Sequence, residues 1–175
     1  TNPSYFNLAG HGAGSVLDQL VKIEADYYCT NGAIPMADGG IAAVEGTPMD
    51  FRTFSPVGRA LRSDFVQLRQ VGGFNHTYVL RKRERGALEL AASMYDPGSG
   101  RKMEVYTTMP GLHFFSANKT TPRTGKCGAT YDRQFGLCFE TQFFSNSAKC
   151  TWFPSPVLRK ENSYRQVTEF RFLVS

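Results

Sequence analysis

Close to the end of the chain, Thr168, Phe170 and Phe172 alternate with Glu169 and Arg171. That two-residue period predicts a strand with one covered face and one wet face. A second strand signal runs from Glu89 to Met94 and from Lys102 to Thr107, split by Asp96-Pro97-Gly98-Ser99-Gly100, a cluster that favours tight bends. It predicts a hairpin. Leu112 to Phe115 and Phe135 to Glu140 are short apolar runs bounded by Gly or Pro, as expected for strands in the middle of a sandwich. At the other end Tyr5, Phe6 and Leu8 read as a strand already under way. Helical periodicity is weak, and Pro48 to Leu61 offers at most a short turn of helix. The pattern predicts an all-β domain of two packed sheets joined by Gly- and Pro-rich loops, without internal repeats.

Composition narrows the function classes. The chain has 175 residues, 41% hydrophobic and 20% charged, the profile of one globular domain able to bury a core. It contains no run of 18 apolar residues, so a membrane-spanning helix is not expected, nor does the visible start carry the apolar core of a secretory leader. The net charge of +5 raises the question of nucleic acid. The dense basic cluster, Arg81-Lys82-Arg83-Glu84-Arg85-Gly86, follows an apolar strand and leads into a turn, so it reads as a solvated loop and no nucleic-acid partner is expected.

Cys29, Cys127, Cys138 and Cys150 lack metal-binding spacing, and their even number permits two disulfides. Cys138, inside an apolar run, reads as a small buried hydrophobe. Asn75-His76-Thr77 and Asn118-Lys119-Thr120 are glycosylation sequons, which matter only on the secretory route. Glu140 breaks the plain picture. It is a carboxylate between Leu137-Cys138-Phe139 and Thr141-Gln142-Phe143-Phe144, where desolvation would raise its pKa and suit it to act as a general base. The structural alternative is an edge residue facing water or an ion-pair partner.

Six ordered blocks then carry a resemblance. They are Thr1-Asn2-Pro3-Ser4-Tyr5-Phe6-Asn7-Leu8, Val44 to Arg52, Gly72-Gly73-Phe74-Asn75-His76-Thr77-Tyr78-Val79-Leu80, Met103 to Gly111, Cys138-Phe139-Glu140-Thr141-Gln142 and Phe153 to Leu158. Together they resemble the aldose 1-epimerase (galactose mutarotase) family. The resemblance implies a β-sandwich of the galactose mutarotase-like type, of which residues 1–175 supply about half, the C-terminal half, with the N-terminal half absent from this sequence. It also implies interconversion of the α and β anomers of hexoses without a cofactor: a carboxylate takes the C1 hydroxyl proton while a histidine protonates the ring oxygen.

Carried over position by position, the family base falls on Glu140 and the acid histidine falls on Pro3, which has no proton to donate. The aspartate that grips sugar hydroxyls falls on Asn75, and a pocket glutamine falls on His113. His113 is the candidate for a relocated acid, since imidazole titrates near neutrality. His76 matches a family histidine and reads as structural, and His11 reads as an exposed loop residue. Phe74, Tyr78, Phe143 and Trp152 are either stacking surfaces for a pyranose or core. The expectation is a catalytically degenerate member kept as a structural or carbohydrate-binding module. The alternative is an active epimerase with Glu140 as base. Expected partners are a hexose, the N-terminal half or a partner chain, and a larger protein assembly. The resemblance favours a cytoplasmic location, with the secretory route left open.

Overall fold

The computed structural model describes residues 1–33 and 36–174. Among them the chain forms twelve strands: β1 Leu20–Ile23, β2 Ala25–Asn31, β3 Ala37–Ala43, β4 Ser55–Pro56, β5 Asn75–Leu80, β6 Glu89–Asp96, β7 Arg101–Thr107, β8 Gly111–Phe115, β9 Arg123–Thr124, β10 Thr130–Tyr131, β11 Cys138–Gln142 and β12 Thr168–Val174. Two short helices, α1 Val57–Leu61 and α2 Val66–Val71, lie between β4 and β5. One five-stranded sheet runs β12-β7-β6-β1-β4 and the other β11-β8-β5-β2-β3, while β9 and β10 form a separate small hairpin. Every ladder is antiparallel, and the apolar core lies between the two large sheets.

The predicted hairpin is β6 and β7, closed where Asp96 pairs with Arg101. Asp96 holds the bend twice, its carboxylate accepting the Ser99 N–H at 2.9 Å and its carbonyl accepting the Gly100 N–H at 2.9 Å. A side-chain acceptor at the first position is what such a turn selects. The helix expected at most as a turn before Leu61 is α1, and α2 is an element that the weak periodicity did not reveal. Gly72 ends α2 in the left-handed region (φ 74°), with the Gly73 N–H returning to the Leu68 carbonyl at 2.9 Å.

Gly73 opens onto a buried polar knot that fixes the entry to β5. The Phe74 N–H donates to Ser116 Oγ, the Ser116 hydroxyl donates to Asn118 Oδ1, and Asn118 Nδ2 donates to the carbonyls of Phe74 and Val71. A Cβ on Gly73 would meet Asn118 Oδ1 at 2.1 Å, and its φ of 147° already disfavours other residues. The Asn118 sequon is therefore spent on the fold, because its amide nitrogen is buried and donating. Asn118→Ala should destabilise the protein by roughly 1–3 kcal/mol in denaturant titration, since it strands carbonyls that water cannot reach. A loss below about 0.5 kcal/mol would contradict the knot.

The sandwich is open on one side. Edge strands β11 and β12 lie on that same side, joined by a hydrogen bond between the hydroxyls of Thr141 and Thr168. The predicted alternation in β12 sets Phe170 against the core, yet Phe172 is 63% exposed and Val174 82% exposed. The Phe6 ring reaches across, with centroids 5.0 Å from Phe170 and 6.1 Å from Phe172. The inward side of β12 thus runs past the end of its cover.

Two arginines of the basic cluster are tied into ion pairs and its lysine into backbone hydrogen bonds. Arg81 binds Glu24 and Asp26, Arg83 binds Glu89, and Lys82 donates to the carbonyls of Ala87 and Thr107. No helix among the described residues is long and apolar enough to cross a membrane.

Candidate functional site

Strand alternation sets His76 and Tyr78 into the sandwich and Asn75 and Thr77 on the opposite face, where Thr77 is still buried, beside Ser145. In β8 the inward residues are Leu112 and Phe114, which leaves His113 outward, and in β11 Phe139 and Thr141 are inward, which leaves Glu140 outward. Register then brings three of these into one row: Thr77 pairs with His113, and His113 pairs with Glu140. Directly opposed residues hold their Cβ atoms about 5 Å apart.

His113 is pinned from two sides. Its Nε2 lies 3.0 Å from Asn75 Oδ1 and its Nδ1 lies 3.0 Å from Thr77 Oγ1, which in turn lies 2.8 Å from Ser145 Oγ. The amide oxygen can only accept, so Nε2 donates and Nδ1 accepts from the Thr77 hydroxyl. Both nitrogens of a neutral ring are thereby used. Burial pushes the imidazole down to about 4. At pH 7 about one molecule in a thousand would carry the extra proton.

Glu140 is half-buried on the edge strand, and burial raises its carboxyl above the ordinary carboxylate range. It makes no hydrogen bond or ion pair among the described residues, unlike the structural carboxylates Glu24, Asp50 and Glu104, which all hold cations. Beyond Glu140 lies the start of the chain. Phe6 and Leu137 exchange two backbone hydrogen bonds, 2.9 and 3.0 Å, in an antiparallel bridge. Continued by three residues, that register sets Pro3 opposite Glu140, and Cys138 Sγ does lie 3.8 Å from the Pro3 carbonyl.

The hollow at His113 is small. It encloses about 190 Å³ between Cys29, Asn31, Met36, Asn75, Thr77 and Ser145. Pockets that enclose small molecules begin at about 300 Å³. Thr77 and Ser145, absent from the expected site, complete the polar set. Thr77 was discoverable, because it stands two residues after Asn75 in an alternating strand.

The four remaining expectations resolve simply. His76 is in the core, its ring edge-on to Tyr28 at 5.9 Å, with Nδ1 accepting the Asn75 N–H and Nε2 lacking a partner among the described residues. Burial, then the neighbouring His113, push it down to about 3. His11 is exposed, with Nδ1 3.0 Å from the Tyr131 hydroxyl. All four cysteines are free, and Cys138 is buried as expected. Of the aromatic candidates Phe74 and Tyr78 are core, Phe143 is half-buried beside Tyr164, and Trp152 is exposed.

Residues 1–171 match a family model described as Aldose 1-epimerase. The chain belongs to the aldose 1-epimerase family. Over 176 residues it is 36% identical to galactose mutarotase of Sus scrofa, and over 180 residues it is 31% identical to aldose 1-epimerase of Escherichia coli. These alignments cover 100% and 99% of this chain but 49% and 50% of the relatives. The chain thus spans about half the length of the curated relatives it matches. Among solved structures, a GalM/aldose epimerase homologue from C. elegans superposes with a TM-score of 0.85 at 24% identity, covering 99% of this chain and 50% of the other. At that identity the superposition speaks for the fold, a galactose mutarotase-like sandwich.

Asn75 and His113 are coupled in space. His113 donates to Asn75 Oδ1, whereas an aspartate there would carry a charge beside a ring that burial keeps neutral.

Proposed function

We propose that this chain is a catalytically degenerate member of the aldose 1-epimerase family, kept as a structural or carbohydrate-binding module. The observation that carries the reading is the row of Glu140, in which neither position 3 nor His113 offers a free acid proton. Position 3 is a proline, and both nitrogens of His113 are engaged in a ring held neutral by burial. A base alone leaves the ring oxygen unprotonated, and a positioned acid is worth about two to four orders of magnitude in rate.

The second reading, an epimerase with His113 as relocated acid, draws on the raised carboxyl of Glu140 and its cross-strand pairing with His113. Polarimetry of α-D-galactose on the complete protein decides between them. We expect no acceleration over buffer and the same trace for Glu140→Gln. Rapid equilibration lost in that variant would establish the second reading.

We further propose that residues 1–175 act as the C-terminal half of a mutarotase-like sandwich, completed by an N-terminal half that continues both sheets past β11 and β12. The doubled length of the relatives and the bare side chains of Phe172 and Val174 support it.

A further inference from the structure

A separate cleft of about 620 Å³ opens between the start of the chain and the β9–β10 hairpin, in the size range of sites that enclose small molecules. Its lining shares no residue with the hollow at His113. The walls are aromatic: Tyr5, Tyr131, Phe135 and His11. Two cations, Arg123 and Lys126, stand on the hairpin side.

The wall is built and braced. The Tyr131 hydroxyl is hydrogen-bonded to His11 Nδ1 at 3.0 Å, and the two rings meet edge to face at 6.0 Å, which ties the hairpin to the Gly-rich loop at residues 10–14. Tyr131 also lies directly over Gly125, where a Cβ would stand 2.0 Å from the ring. Any side chain at Gly125 would displace it.

The cations are uncommitted. Neither the Arg123 nor the Lys126 side chain makes a hydrogen bond or an ion pair among the described residues, whereas Arg52, Arg69, Arg81, Arg83 and Arg171 all hold carboxylates. The carboxylate on the lining, Asp132, accepts the Arg133 backbone N–H at 2.6 Å. We propose that this cleft binds an anionic monosaccharide, its apolar face on the aromatic wall and its phosphate or carboxylate between Arg123 and Lys126. Flat aromatic area supplies contact, and a guanidinium and an ammonium on one lining supply charge-assisted hydrogen bonds.

Calorimetric titration of the complete protein with galactose 6-phosphate, galacturonate, galactose and inorganic phosphate tests the cleft. We expect at least one of the two anionic sugars to bind about tenfold or more tightly than both galactose and inorganic phosphate. The stronger of the two names the anion. The exposed double variant Arg123→Ala/Lys126→Ala, its thermal melt unchanged to within about 2 °C, should lose that tenfold preference. Equal binding of anionic and neutral sugar, inorganic phosphate binding as tightly as the sugar phosphate, no heat from any of the four, or a double variant that keeps the preference would each overturn it. The mutarotation assay reads a different row of residues, so silence there and failure here are distinct results.

Discussion

Lowering the pH from 7 to 5 should cost the fold about 4 kcal/mol, and two histidines account for it. His76 is pushed down to about 3 and His113 to about 4, both below the ordinary 6.5. For a base with a depressed folded-state pKa, the unfolded chain takes up the proton first as pH falls. The stability is therefore fully present above about 6.5 and is lost as pH falls toward 4 for His113 and toward 3 for His76. At pH 5 each contributes a loss of about 2 kcal/mol, from about 1.4 kcal/mol per pH unit.

The groups around the two rings sharpen the window. His76 faces Tyr28 in the core, and on the opposite face of the sheet His113 faces Asn75, Thr77 and the neighbouring Glu140. Carboxyls lowered by cations, such as Glu24, Asp50 and Glu104, lose their contribution only below the ordinary carboxylate range. Glu140 acts with the opposite sign, since its raised pKa lets the folded state hold a proton first as pH falls. Denaturant titrations at pH 7, 6 and 5 give the slope directly. His113→Gln should remove about half of it, because glutamine can bridge Asn75 and Thr77 without titrating. A flat profile between pH 7 and 5 would mean that both rings reach solvent.

What the sequence made legible follows from which contacts are local. The β6–β7 hairpin was readable because Asp96 and Gly100 carry its turn within five residues. β12 was readable from alternation alone. β3 was not, since Ala37-Asp38-Gly39-Gly40-Ile41 has little strand propensity. Its glycines answer to distant residues: a Cβ on Gly39 (φ 90°) would stand 2.8 Å from Cys150 Sγ and from the Trp152 ring, and one on Gly40 would strike Thr30. The site divides the same way. Glu140 announced itself as a carboxylate in an apolar run, and Asn75, His113 and Pro3 were found through resemblance. That His113 spends both nitrogens on Asn75 and Thr77 depends on the register of β5 against β8, which no window of sequence contains.

Phe114→Ala should be the most damaging single truncation in the sandwich, with a loss of about 3–5 kcal/mol. Its ring is fully buried and meets four others, with centroids 4.9 Å from Phe74, 5.3 Å from Phe139, 5.9 Å from Phe51 and 6.4 Å from Tyr78. For a chain of this size that corresponds to a fall in Tm of roughly 6–20 °C. Those neighbours tie the ring to the candidate row from behind. Phe74 immediately precedes Asn75, Phe139 immediately precedes Glu140, and Phe114 itself follows His113, so one aromatic cluster sets the spacing of the three strands that carry the row. Emptying it should loosen the pairing on the outer face, and the His113 imidazole, followed by NMR, should titrate closer to 6.5 than in the parent protein. Phe114→Leu, which leaves less empty volume, should lose less on both measures. If Phe114→Ala kept His113 at about 4 while losing the full 3–5 kcal/mol, the outer row would owe its geometry to its own hydrogen bonds and not to the core behind it.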